Sequence, residues 1–419
     1  MQTVAAPAQS VRWRIPVVFG ITFFVNYLDR NNLALALPRI AQEFGWNDKQ
    51  TGEFGQYLLA AFFLALGLSN IFLSPLAQKL GPRRSVVLAI ASFSVVTILQ
   101  APLGQYFIIL IFLRLLLGLG EGFHVPMMSE ITSHWFPRNE RSRANAIWNV
   151  GILLATALGP LILVPLITWI GWRPTFAVLG VVGMVISIPL VLLVVRDRPR
   201  REDGVSEEEL AYIGQGSGDD AKDAASKSTS YLRSPFFWLT VLAGTLNAFC
   251  GFGVLNWLPT YFARTKGIDF ANLGWPLAII FSAGVVGVLL MAVLGDRINR
   301  RVLLMSGGYL VAALMVYFAT TMTSLVPLVA FFAAGVFFQS AYTGHEFAVV
   351  QRVVPAGSVG SGSGVYNGLS ILLGGVGGSL VPGTIVAITG SFTAGILSIV
   401  VGGILAAIVL FVLARALRY

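Results

Sequence analysis

Asp29 and Arg30 stand side by side inside the first long apolar run of the chain, Ile15 to Pro38. A charge at the centre of such a run costs about 2.5–3.5 kcal/mol on insertion scales, so a partner, a ligand or an ion must offset it. A later apolar run, residues 105–134, carries Arg114 and Glu121, seven residues apart. That spacing is nearly two helical turns and puts both groups on one face, about 10 Å apart along the axis. Asn26, Asp29, Arg30 and Leu33 have i, i+3, i+4, i+7 spacing and define a second face. Facing helices bearing two guanidinium forks and two carboxylates can hold a small anion on the arginines and a proton on an acid. The competing reading is a purely structural ion-pair network between two helices. Two such costly pairs in one half of the chain favour a substrate and ion path.

Other polar groups lie in apolar surroundings. His124 follows Glu121 by one turn, and Glu130 and His134 lie further on. The stretch QSAYTGHEFAVVQR brings Gln339, Tyr342, His345 and Glu346. His124, Tyr342, His345 and Glu346 are candidates for a second site. Glu346 can pair with His345 or His124, bind a substrate ammonium, or take a proton; a satisfied polar spot between helices is the alternative. Metal ligation is not expected. Glu121-x-x-His124 matches one half of a di-iron helix pair and lacks the second copy. His345-Glu346 opens a zinc-protease motif, but Val349 holds the position of its second His. No strand precedes the glycine-rich stretches near residues 357–364 and 372–380, and no Gly-Lys-Ser/Thr follows, so they are not phosphate loops. No cofactor is expected.

The elements that position these residues follow from composition. The chain of 419 residues is 56% hydrophobic and 11% charged, against about 25% charged for a soluble protein. Apolar stretches near 15–38, 52–78, 85–102, 105–134, 142–169, 173–195, 236–263, 273–295, 302–321, 325–351, 359–388 and 391–414 are each long enough to span a bilayer. Backbone groups in lipid must be satisfied within the segment, so these are helices. The expected fold is an all-α membrane protein of 12 transmembrane helices in two pseudo-symmetric six-helix bundles, residues 1–195 and 236–419. Residues 196–235 form a polar linker, in which Ser206 and Glu209 can box the start of a short surface helix through Tyr212. The first run is too long and too polar for a cleaved signal. The single Cys250 excludes an intramolecular disulfide.

The net charge of +9 is not read as a nucleic-acid footprint. If the N-terminus is cytoplasmic, only Arg39, Lys49, Arg173, Arg264 and Lys266 of the 28 basic residues face outward. That is the positive-inside pattern, with both termini cytoplasmic. The partners expected are the lipid bilayer, a small organic anion and protons, with sodium as the open alternative; a monomer in a bacterial inner membrane is expected.

The loops SPLAQKLGPRR (Ser74–Arg84) and AVLGDRINRR (Ala292–Arg301) fall at equivalent points of the two halves. Here the chain resembles the major facilitator superfamily, whose loop signature is Gly-x-x-x-Asp-Arg/Lys-x-Gly-Arg-Arg. Ser74 and Gln78 depart from it in the first copy; Asp296 and Arg297 keep it in the second, with Asn299 for the glycine. Five further motifs, NYLDRNNL (Asn26–Leu33), GLGEGFHVP…WFPRNERSRA (Gly118–Ala144), GWRPTF (Gly171–Phe176), NWLPTYF (Asn256–Phe262) and GVYNGL (Gly364–Leu369), are similar to the anion:cation symporter branch. That branch includes sugar-acid and aromatic-acid permeases. The resemblance implies that Arg30 and Arg114 bind a substrate carboxylate, that Asp29 and Glu121 couple protons, and that Tyr27 and Asn367 donate hydrogen bonds to the substrate. Asn26 shares that substrate face. It also implies a cytoplasmic gate of Asp296, Arg297, Arg83, Arg84, Glu140, Arg141 and Arg143. Leu66 and Asn70 replace the branch's aromatic-and-Gln pattern in the second span and suggest a less polar wall. The function expected is import of a small organic carboxylate by proton symport with alternating access, not an enzymatic activity. An exporter of amphipathic compounds and a transport-like receptor are the alternatives.

Overall fold

The structure, a computed structural model, describes residues 10–201, 204–214, 229–298, 300–355 and 358–417, without the side chains of Arg138 and Asp296. Every regular element among the described residues is a helix, and none is a strand. The first half comprises α1 (Arg14–Glu43), α2 (Asp48–Phe72), α3 (Ser74–Leu80), α4 (Pro82–Leu103), α5 (Phe107–Gly122), α6 (His124–Trp135), α7 (Arg138–Ile170), α8 (Trp172–Val182) and α9 (Ile188–Val194). A π-helical turn, Gly183–Ser187, joins α8 to α9. The linker contributes α10 (Glu207–Gly214). The second half comprises α11 (Pro235–Arg264), α12 (Gly274–Ile298), α13 (Arg301–Thr321), α14 (Leu325–Thr343), α15 (Glu346–Val353), α16 (Val359–Thr389) and α17 (Phe392–Ala416).

Local chemistry sets the helix ends. Asn47 and Gln50 form a reciprocal box at the start of α2: the Asn47 side chain accepts from the Gln50 N–H at 2.9 Å, and the Gln50 side chain from the Asn47 N–H at 3.0 Å. Gly81, at φ 97°, turns the chain from α3 into α4, and Pro82 then opens that helix.

Eleven helical stretches are long and apolar enough to cross a membrane by length and composition. The thirty residues of α1 are not among them, because Asn26, Asp29, Arg30, Asn31 and Asn32 dilute its apolar content. These side chains are nevertheless sheltered by protein, and α1 packs along both α7 and α11. It is the twelfth span.

Three spans expected as continuous are broken: span two at Leu73, between α2 and α3, and two more at corresponding points of the halves. Span four breaks at Phe123, between α5 and α6, and span ten at Gly344–His345, between α14 and α15. These two breaks occupy corresponding places in the two halves, a pattern that marks binding sites in transporters built from repeats.

The repeat is visible in the packing. In the first half α1 packs on α7, α2 on α5, and α4 on α5 and α8. In the second half α11 packs on α16, α12 on α14, and α13 on α14 and α17. Across the midline α2 meets α16, α7 meets α12, and α1 meets α11.

Both described chain ends and α10 lie on one side of the bundle, the linker side. On the opposite, far side the halves are fastened together. Arg264 of α11 donates to the Trp46 carbonyl at 3.1 Å and lies 3.7 Å from Asp48. Thr384 of α16 donates to Gln56 of α2 at 2.7 Å. Arg39 sits 4.8 Å from the Phe270 ring centroid. Gly52 of α2 lies so close to α16 that a Cβ there would stand 2.8 Å from Val386. Within the first half, Trp172 donates to Glu43 at 2.6 Å and Arg173 pairs with the same carboxylate. Burial raises the Glu43 carboxyl, but these partners outweigh it and hold the group below its ordinary value.

Candidate functional site

Glycines bring α2 against α5. A Cβ at Gly118 would lie 2.3 Å from the Phe62 carbonyl oxygen, and one at Gly122 2.6 Å from that of Leu66. The two backbones therefore touch, as small residues allow between membrane helices. Leu66, read from sequence as part of a cavity wall, packs against these glycines and is buried; Asn70 is half-buried.

The central contact joins α1 to α5. Arg30 donates from Nη2 and Nε to Glu121 Oε2, at 2.9 and 3.2 Å. Its Nη1 donates to the Tyr27 hydroxyl at 2.9 Å, and the guanidinium lies 4.4 Å from the Tyr27 ring centroid. The Arg30 side chain is 8% exposed and that of Glu121 is fully buried. Arg114, 1% exposed, lies 5.0 Å from the ring of Phe62, which also stands 5.4 Å from Arg30. Its Nε and Nη1 have no hydrogen-bond partner among the described residues, nor does Glu121 Oε1. A buried guanidinium with two such donors is poised for an acceptor that comes and goes.

Asp29 lies within electrostatic reach of Arg114, Glu121 and Arg30 but makes its hydrogen bonds to other groups. It accepts from Thr97 of α4 at 2.6 Å and from Asn32 at 2.7 Å. Adjacent residues point about 100° apart around a helix, so Asp29 and Arg30 serve different neighbours. The structure thus brings Arg30, Tyr27, Glu121 and Arg114 together, with Asp29 at their edge and bonded to α4. Asn26 is buried, and neither of its amide atoms meets a hydrogen-bond partner among the described residues. His124 is buried between Phe23 and Phe93, at ring-centroid distances of 5.8 and 6.1 Å, and neither ring nitrogen meets a hydrogen-bond partner among the described residues.

In the second half Glu346 accepts from Tyr366 at 3.1 Å, and the hydroxyls of Tyr366 and Tyr342 are 2.8 Å apart. Tyr309 donates to Asn247 nearby at 2.6 Å. Neither His345 nor His124 pairs with Glu346. His345 Nδ1 meets the Ala341 carbonyl at 2.8 Å, and its Nε2 abuts Gly295 of α12. Tyr366 is the residue that sequence reading did not single out, although it lies inside Gly364–Leu369. Asn367, one residue on, is half-buried.

The gate residues expected from sequence have the following partners. Glu140 accepts from Arg12 at 3.0 and 3.2 Å and from Tyr212 of α10 at 3.3 Å. Arg12 also reaches Glu209 of α10 at 3.0 Å. The backbone N–H of Arg83 donates to Asp197 at 2.7 Å. Arg141 donates to the carbonyls of Phe136 and Ser133, at 3.0 and 2.9 Å. Arg84, Arg143 and Arg297 are exposed. The side chain of Asp296 lies outside the described residues.

A membrane-spanning bundle of two repeated halves, with a buried ionic centre beside a broken helix, defines a membrane transport protein. The family model of the Major Facilitator Superfamily matches residues 19–379. The chain belongs to that family, which comprises transporters and not enzymes. Its sequence relatives are organic-acid permeases. It is 31% identical over 285 residues to a probable sulfoacetate transporter of Cupriavidus necator, covering 68% of this chain and 65% of that protein. It is 26% identical to a probable galactarate/D-glucarate transporter of Bacillus subtilis, covering 98% and 93%. To a D-galactonate transporter of Escherichia coli it is 29% identical, covering 88% and 87%. Among solved structures, a bacterial homologue of the human lysosomal transporter Spinster, in an inward-facing and occupied conformation, superposes with a TM-score of 0.80 at 17% identity, covering 98% of each chain.

Proposed function

We propose that this protein imports a small organic anion, carboxylate or sulfonate, in symport with protons. The observation that carries this reading is the buried, incompletely partnered Arg114 beside the Arg30–Glu121 pair. An incoming anion docks on Arg114 and draws Arg30 from Glu121. A buried carboxylate deprived of its cation is costly as an anion, so Glu121 takes a proton. Anion and proton then travel together. Asp29 is the second acid, reached once its bonds to Thr97 and Asn32 open. Tyr27, Asn26 and Asn367 supply hydrogen bonds to the substrate. The halves, residues 1–195 and 236–419, rock about this site under the linker of residues 196–235. On this reading the protein is a monomer in a bacterial inner membrane with both termini cytoplasmic, and the excess of basic residues on the linker side supports that orientation. The relatives named for sulfoacetate, galactonate and glucarate support an acid as cargo.

The test is uptake of labelled sulfoacetate, D-galactonate and D-glucarate into proteoliposomes under an imposed pH gradient. Accumulation that collapses with a protonophore is expected for at least one acid. Accumulation of none of the three, or uptake driven by sodium without a pH gradient, overturns the reading.

A further inference from the structure

We infer that Phe62 is a positioning residue for the anion site and that, through Phe63, it carries occupancy of that site to the contact between the two halves. The inference rests on the reading of Arg30 and Arg114 as anion-binding groups. The Phe62 ring is 1% exposed and is shared by both guanidiniums, at 5.4 and 5.0 Å. Two like charges in a medium of low dielectric repel, and a π face presented to both offsets part of that repulsion. Phe62 cannot slide away, because Gly118 pins its backbone against α5.

The next residue faces a different partner. Phe62 meets Phe63 edge-on, at 5.2 Å and 76° from coplanar in the manner of a T-shaped pair. Phe63 in turn lies 4.4 Å from Phe252 of α11. It also fills the space beside Gly375 of α16, where a Cβ would stand 2.7 Å from the Phe63 ring. One unbroken series of rings therefore runs from the arginines to two helices of the other half. When an anion neutralises the guanidiniums their pull on the Phe62 ring weakens. The ring is then free to shift, and Phe63 passes the shift to α11 and α16.

The test keeps the shape of the ring and changes its charge distribution. Phe62 is replaced by mono-, di- and trifluorinated phenylalanines, and binding of sulfoacetate and D-galactonate to purified protein in nanodiscs is measured. A ring that pulls less on the guanidiniums in the free protein loses less when the anion arrives, so the Kd should fall stepwise, by about tenfold across the series, while melting without acid stays near that of the unsubstituted protein. Phe63→Leu should leave Kd within about twofold and lower kcat. It should also shrink the acid-induced change in distance between spin labels placed on the far-side ends of α2 and α16. A flat Kd across the fluorinated series overturns the positioning role. A Phe63→Leu change confined to Kd overturns the relay. If the unsubstituted protein binds neither acid, the anion reading itself falls and this inference with it.

Discussion

Arg30 and Arg114 address the same ring, Phe62, yet among the described residues only Arg30 is in contact with a carboxylate. The two arginines are therefore not equivalent. Arg30 is engaged by Glu121, and Arg114 holds donors in reserve.

Arg114 makes no hydrogen bond to a carboxylate, and a proton on Asp29 or Glu121 can restore the charge balance its removal upsets, so Arg114→Gln should fold and fail to bind. The expected loss of acid affinity is about 10- to 100-fold, the worth of a charge-assisted bond. Arg114→Lys keeps the charge but not the fork and should recover only part of it. Calorimetric titration of the purified variants with the transported acid measures both effects.

Glu121→Gln removes the proton acceptor while leaving an amide oxygen for Arg30. Uptake driven by a pH gradient should fall to background, whereas exchange of labelled for unlabelled acid across the same vesicles should persist. Retention of driven uptake would move the coupling role to Asp29 or Glu346.

Arg12 is 1% exposed between the carboxylates of Glu140 and Glu209. Arg12→Ala leaves both uncompensated and should destabilise the protein by roughly 3–5 kcal/mol, read as a lower melting temperature. Burial raises the Glu209 carboxyl, but hydrogen bonds from Ser10, Arg12 and the Val11 backbone outweigh it and hold the group below its ordinary 4.5. A depressed carboxyl stabilises the fold above its ordinary value and loses that contribution as pH falls through the folded-state value. Melting temperatures between pH 7 and 3 should therefore drop more steeply in the unsubstituted protein than in Glu209→Gln.

Closure of the far side depends on the absence of a side chain at Gly52, which faces Val386 and Ala387. Gly52→Trp should hold that end apart. Acid should still bind from the far side, but transport should stop, and a cysteine placed at Gln56 should label in its presence. Unchanged labelling would show that closure tolerates the ring.

The twelve spans and the repeat were legible because apolar length and loop position are local properties of sequence. The ionic faces of α1 and α5 were legible because helical spacing identifies a face. Spacing does not say which neighbour a face meets. Asp29 and Arg30 were grouped together, yet one turns to Thr97 of α4 and the other to α5. The partners of Glu140 were hidden for another reason: Arg12 is 128 residues away in sequence and Tyr212 is 72. The linker helix was legible from Ser206 and Glu209, and the Glu209 N–H does meet the Ser206 hydroxyl at 3.1 Å. Its docking by a buried ion pair was not. Phe62 gave no sign at all, because one phenylalanine in an apolar run looks like any other until the cations are placed around it.

The ionic centre of the first half has an electrical consequence. Asp29, Arg30, Arg114 and Glu121 together carry no net charge when all are ionised. On the proposed cycle a monovalent acid that arrives with one proton preserves that neutrality, and such a step is indifferent to membrane voltage. A second proton, or an acid with one charge fewer than its protons, leaves a positive charge to be moved through the field, worth about 2.3 kcal/mol per 100 mV. Whether the cell's voltage or its pH difference powers accumulation is thus set by how many of the two acids, Glu121 and Asp29, load in each turn.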